Sequence, residues 1–110
     1  MASLEEYNGA TRSASTNKLD YEGFLSPLVL EAVAEYMHKN RFLQDGSVRD
    51  SDNWQKGVPL DRWMKSLWRH FHSAWKAHRG FKADEDLETS LCAVIFNASG
   101  YLHELRKNKN

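Results

Sequence analysis

The sequence predicts an all-α fold: a small bundle of three main helices, with a long loop between the first and second, completed by dimerisation. Three observations predict it. Apolar residues recur at helical spacing in three segments, no segment alternates apolar and polar residues convincingly, and turn signals are few. A chain of 110 residues fits one domain. Its single cysteine, Cys92, excludes an internal disulfide and a Cys-rich zinc site, and implies a reducing setting.

Residues 1–20 are rich in Ser, Thr, Asn and Ala, with few bulky apolar groups and no period. Such a segment buries too little surface to offset its ordering entropy, so it is expected to be a flexible tail. The single domain is expected over residues 21–106, with a short tail at 107–110. Ser26 and Pro27 form a helix start, a side-chain acceptor followed by a residue suited to the first turn. From there to about Phe42, Val29, Leu30, Val33, Tyr36 and Met37 share one arc, with Glu31, Glu35 and His38 on the other side. Residues 43–58 mix Gly, Asp, Asn and Ser with one tryptophan and read as a long loop.

The second helix, about residues 59–78, gathers Leu60, Trp63, Met64, Leu67, Trp68, Phe71, Ala74 and Trp75 on one arc. Opposite stands a basic stripe of Arg62, Lys65, Arg69 and Lys76. Gly80 stops this helix, and Arg79 complements its C-terminal dipole. The third helix opens on Asp84, Glu85 and Asp86, an acidic first turn, and runs to about Leu105. Its expected core stripe is Leu87, Leu91, Val94, Ile95, Ala98, Tyr101, Leu102 and Leu105. Phe96 points away from that stripe, with Cys92 partway towards it, which implies a second packing partner for this helix. Because about 90 ordered residues make only a small core, the Phe96 face points to a homodimer. Gly100 within the helix implies close approach of another element.

Charge narrows the function. Fifteen Lys+Arg balance fifteen Asp+Glu, which argues against a general nucleic-acid coat or a polybasic membrane binder. No apolar run approaches the roughly 20 residues of a membrane span, and residues 1–20 lack a signal-peptide segment, so a cytoplasmic setting is expected. The basic stripe, with Arg79 and Lys82, reads as solvated charge, as a binder of nucleotide phosphates, or, least well, as a duplex binder. The phosphate signatures GxGxxG and GxxxxGK[ST] are absent, as are a Ser-His-Asp order and a reactive-cysteine context.

Three groups could carry chemistry. Glu31, Glu35 and His38 on one helical face could hold Mg²⁺ or Mn²⁺, or be a solvated face in which Glu35 pairs with Lys39. His70 borders the apolar arc of the second helix, flanked by Ser66, Ser73 and Ala77. A half-buried imidazole there needs a hydrogen-bond partner, whether its role is structural or functional. In the loop, Asn53 offers donor and acceptor atoms for a base edge, Trp54 a stacking face, Lys56 a point charge and Gly57 unusual backbone freedom. The other reading is a loop anchored by a buried tryptophan.

The order DNWQKGVP, then Arg69-His70, then HRG, then an acidic stretch ending in LETSLCAVIFNASGYLHE resembles a small all-α family of phages and prophages, the dATP/dGTP diphosphohydrolase-like family, over about residues 24–106. The resemblance implies a helical, usually oligomeric protein that handles deoxynucleoside triphosphates. The implied reaction is attack of a metal-activated water that yields a monophosphate and pyrophosphate. Asn53, Trp54, Lys56 and Gly57 match the family's NWxKG loop, Arg69 and His70 its RH pair, Asp86 an acidic position between helices and Asn97 the asparagine of its last helix. Two departures stand out. Ser90 and Ala93 occupy positions where many members have histidines. The ExxE then ExxD pattern of the related MazG-type pyrophosphohydrolases has no second half here.

The leading expectation is therefore a nucleotide pyrophosphohydrolase-like protein. Mg²⁺ or Mn²⁺ is expected on Glu31, Glu35 and Glu88, phosphates on Lys56, Arg69 and Arg79, the base on Asn53 and Trp54, and His70 as the catalytic group; Asn97 belongs to the binding set by resemblance. The alternatives are a protein that binds a nucleotide or cyclic nucleotide without turnover, and a helical protein-interaction module. A small-molecule nucleotide and a second copy of the chain are the expected partners, with no nucleic-acid polymer and no membrane.

Overall fold

The computed structural model describes residues 4–13 and 17–109. The architecture is mainly helical, as expected, with one addition at the start of the chain. Strands β1 (Leu4–Tyr7) and β2 (Ala10–Ser13) pair antiparallel with Leu4 opposite Ser13 and Tyr7 opposite Ala10. The sequence pattern predicts no strand within this tail, so the hairpin is a difference from the expectation. The signal is the Asn8-Gly9 dipeptide: both residues take positive φ, 49° and 91°, as a tight two-residue hairpin turn requires. The hairpin still buries almost nothing, and its strands touch no described helix.

Helix α1 (Tyr21–Phe24) is one turn, capped where Asp20 Oδ1 accepts from Gly23 N at 2.8 Å. Helix α2 (Pro27–Lys39) starts where Ser26 Oγ accepts from Val29 N, with Pro27 in the first turn. It stops at Lys39, three residues short of Phe42, because Asn40 leaves the helix and returns its amide to the Tyr36 carbonyl at 2.8 Å. The loop that follows contains a short 3₁₀ turn, Asn53–Gln55, and a glycine at φ 102°, Gly57, where other residues would be strained. Helix α3 spans Leu60–His78 and α4 spans Leu87–Lys107. Asp86 caps α4 by accepting from Thr89 N at 2.7 Å, so Asp84 and Glu85 precede the helix rather than forming its first turn.

Helices α3 and α4 run antiparallel: Trp63 lies over Gly100, and Ser73 Oγ meets Ser90 Oγ at 3.1 Å. The face of α4 that packs on α3 is small and polar, with Ser90, Ala93, Asn97, Gly100 and Glu104 all buried. A Cβ at Gly100 would stand 2.5 Å from the Trp63 ring, so only glycine admits this approach. The expected stripe of α4 is accordingly not the core, and the expected arc of α3 is buried only at Trp63 and Ala74. Trp63 and Ala74 are the buried residues of α3, whereas Trp68, Phe71 and Trp75 are exposed; on α4, Leu91 and Leu102 are exposed too. Size matching, which lets backbones approach closely, has overridden the apolar arc in choosing the packed face of α4.

The second packing partner expected for the Phe96 face, another helix or another subunit, is a helix, α2. That face is not free for a second subunit, because Phe96 packs on Tyr36 of α2 and on Trp54 and Trp63, with ring centroids 6.3, 6.3 and 5.3 Å away. Two buried polar atoms, Trp63 Nε1 and Glu104 Oε1, lack a hydrogen-bond partner among the described residues. Each such group typically costs about 1–3 kcal/mol.

Candidate functional site

The loop after α2 builds one wall of a cavity. Arg41 Nε donates to the Arg49 carbonyl at 2.8 Å, and Arg49 N donates back to the Arg41 carbonyl at 2.9 Å. Phe42 and Val48 bridge just beyond, and Gly46 at φ 87° turns the tip. This stem puts Arg41 and Arg49 in the lining of a cavity of about 450 Å³ whose other walls include Tyr36 of α2, Phe96 of α4, and Asn53 and Trp54 of the 3₁₀ turn. Its volume falls in the range of small-molecule sites. Trp54 is half-buried and held edge-on by its neighbours, with His103 at 4.9 Å and Trp63 at 6.4 Å between centroids. Such edge-to-face contacts fix a ring's orientation.

Beside the cavity lies a polar cluster. His70 Nδ1 and Glu85 Oε1 are 2.6 Å apart, and the Ser90 hydroxyl, fully buried, is 3.0 Å from the same carboxylate oxygen and 3.1 Å from Ser73 Oγ. The half-buried His70 thus has the partner its position demands. Tyr36 joins cavity and cluster: burial, then the nearby Glu85 charge and Cys92, push its phenol above the ordinary range. The Cys92 thiol is pushed up too, chiefly by burial and then by Glu88, Asp86 and Glu35, which fits an unreactive position.

Of the residues singled out in the sequence, Asn53 and Trp54 line the cavity. Lys56 is turned to Asp50, 3.6 Å away at the surface. Arg69 and Arg79 are exposed on α3 and at its C-terminal cap, and neither lines the cavity. Asn97 is buried and donates its amide to the Ala93 carbonyl of its own helix at 2.8 Å. Its role in the structure is to satisfy a helix carbonyl at the α3–α4 interface. Glu31 and Glu35 line a shallow depression on α2 with His38. Glu88 lies on α4, and Glu35 and Glu88 share only the neighbourhood of Cys92. Glu31, Glu35 and Glu88 are not gathered as a set: among the described residues no three His, Cys, Asp or Glu side chains are placed to hold a metal ion.

The chain matches no family model, curated protein or solved structure.

Two residues of the site, Arg41 and Arg49, are not singled out in the sequence; Tyr36 enters there only as part of an apolar arc, and Glu85 only as a helix-starting charge and the first Glu of an ExxE half-motif. Arg41 and Arg49 flank a glycine turn and the apolar pair Phe42 and Val48, a short-range signal for a stem. Glu85 directly precedes the cap of α4, where it was read as a helix-starting charge. Chemically, the cavity is lined by aromatic rings, two side-chain amides (Asn40 and Asn53), two arginines, His38, Ser51 and Asp50, whose carboxylate pairs with Lys56. That set suits a planar ring bearing an anionic tail.

Proposed function

We propose that this chain binds a (deoxy)nucleoside phosphate, with a triphosphate as the preferred ligand, in the cavity between α2 and the loop. One observation carries the reading: Asn53 and Trp54 share a nucleotide-sized cavity with Arg41 and Arg49. Trp54 and Phe96 offer apolar faces and edges to a base, Asn53 offers paired donor and acceptor atoms to its edge, and the arginines offer charge to phosphate oxygens. Hydrolysis to a monophosphate and pyrophosphate is the reaction part of the proposal, supported by the resemblance to the dATP/dGTP diphosphohydrolase-like family. His70, oriented by Glu85, is its candidate proton acceptor. Glu31 and Glu35 share a depression on α2 and would be the carboxylates that meet Mg²⁺ or Mn²⁺ there, with Glu88 on α4. The resemblance also supports a homodimer in the cytoplasm of a phage-infected or bacterial cell.

A second reading, binding without turnover, is favoured by the same two arginines, which can neutralise phosphates with no ion present. Calorimetry over a panel of dNTPs, with Mg²⁺ and with EDTA, together with pyrophosphate release, tests both. Pyrophosphate release that Mg²⁺ supports and His70→Ala abolishes establishes the hydrolase. Tight binding in EDTA with no product establishes sequestration. Under either, Arg49→Ala and Trp54→Ala each weaken binding about 10-fold or more, since a charge-assisted hydrogen bond or a stacked base is worth about 1–3 kcal/mol. No binding by any member of the panel overturns the proposal.

A further inference from the structure

Successive residues turn 100° about a helix axis. Measured from the packed faces of α3 and α4, Met64, Phe71 and Trp75 lie on the flank reached by increasing residue number, with Trp68 further round towards the back of α3; Leu87 and Leu105 lie on the same flank of α4, with Leu91 and Leu102 further round. In an antiparallel pair those flanks fall on one side. Phe96 and Cys92 lie on the other flank of α4, the side that α2 occupies. The two helices therefore present an apolar face on the side away from α2, its α3 row about 17 Å long from Met64 to Trp75. Trp68 is 64% exposed, Phe71 53%, Trp75 52%, Leu91 47% and Leu102 57%.

We propose that this α3–α4 face, and not the Phe96 face, is the seat of a second copy of the chain. Area is the first argument. The chain exposes 9253 Å², roughly 3,000 Å² more than a compact monomer of its 12.7 kDa mass. Obligate homodimers bury about 1,000–2,500 Å² per partner, which is of the order of that excess, the exposed hairpin accounting for part of it. Shape is the second. Two such helix pairs meeting face to face about a twofold axis make a four-helix bundle, with each aromatic row covered by its symmetry mate. Charge is the third. The outer edges of the face carry both signs, with Asp61 and Lys65 3.2 Å apart on α3 and Glu88 and Arg106 on α4. The chain's net charge is zero. A face for anionic lipid would instead be rimmed by Lys and Arg.

The proposal deepens the homodimer part of the reading above and does not depend on the nucleotide. Sedimentation of the full chain over about 1–50 μM tests it, with nucleotide binding measured on the same samples. The expected mass is twice that of the chain. Phe71→Glu combined with Trp68→Glu should raise the dimer dissociation constant at least 10-fold while the circular dichroism stays helical. A wild-type chain that is monomeric throughout, or a dimer indifferent to both substitutions, overturns the proposal. So does a monomer that binds anionic vesicles. Should the double variant lose its helical signal, the wild-type Tm decides: a rise with protein concentration supports the interface, and a constant Tm overturns it. Nucleotide binding by a monomer would sink the interface and leave the cavity reading standing.

Discussion

Gly100 shows how one missing methyl sets the geometry of the whole helix pair. The Trp63 ring occupies the space that a Cβ would take, and that contact fixes the register that also aligns Ser73 with Ser90. Alanine would improve local helix propensity by about 1 kcal/mol. It would also force the ring and the facing backbone apart, and overpacking of this kind costs about 1–3 kcal/mol. Gly100→Ala is therefore expected to lower stability on balance, read as a lower urea midpoint with an unchanged slope. His70 is the complementary case. Its position beside Ser66, Ser73 and Ala77 implied a partner, and Glu85 supplies it, but the partner comes from a segment that local sequence reads as a helix start. A residue fifteen positions away is joined by tertiary packing, which no helical period encodes.

Among the elements, α4 depends on its first residues. Hydrogen bonds from Thr89 hold the Asp86 carboxyl below the ordinary range, with Lys39 adding a smaller favourable charge against slight desolvation. A depressed pKa means that the cap stabilises the fold above the unfolded value, about 3.9, and that this is lost as pH falls through the folded value. Asn also caps helices but does not titrate there. Asp86→Asn should fold normally at pH 7, and its Tm should fall less steeply than the wild type's between about pH 5 and 2. The main helices themselves were legible in the sequence to within a few residues, because Ser26-Pro27, Gly80 and the acidic stretch before Leu87 are local signals. The face that α4 buries was not. Apolar periodicity marks its greasiest arc, and that arc faces outward, while Ser90, Ala93, Asn97 and Gly100 pack because they are small; on α3 the expected arc does supply the buried Trp63 and Ala74. Asn53 and Trp54 could be picked out by residue type; Arg41 and Arg49 required the stem that brings them together.

For the molecule as a whole, the radius of gyration is 19.1 Å, against about 13 Å for a compact chain of this length. Part of the excess is the hairpin of β1 and β2, whose strands touch no described helix. A chain beginning at Leu19 should therefore keep the Tm of the full chain to within about a degree in thermal unfolding followed by circular dichroism. A drop of several degrees would show that the leading segment supports the helices. Within the helical part, the buried apolar residues are few, Trp63, Ala74, Cys92 and Ala93, and the buried set includes Glu104 with one unsatisfied oxygen. So small a core yields little net stability, which makes the outward aromatic row more consequential than any single contact inside.

The stem between Arg41 and Arg49 separates wall from tip. One backbone hydrogen bond and one from the Arg41 side chain hold the two arginines together, while Gln44, Asp45 and Gly46 lie outside the cavity lining. Loop-closure entropy grows only logarithmically with length. The tip is thus a place where a reporter peptide or a dye-bearing insert can be grafted next to the cavity without entering it, giving a handle for watching occupancy in a chain whose four native tryptophans would otherwise report together.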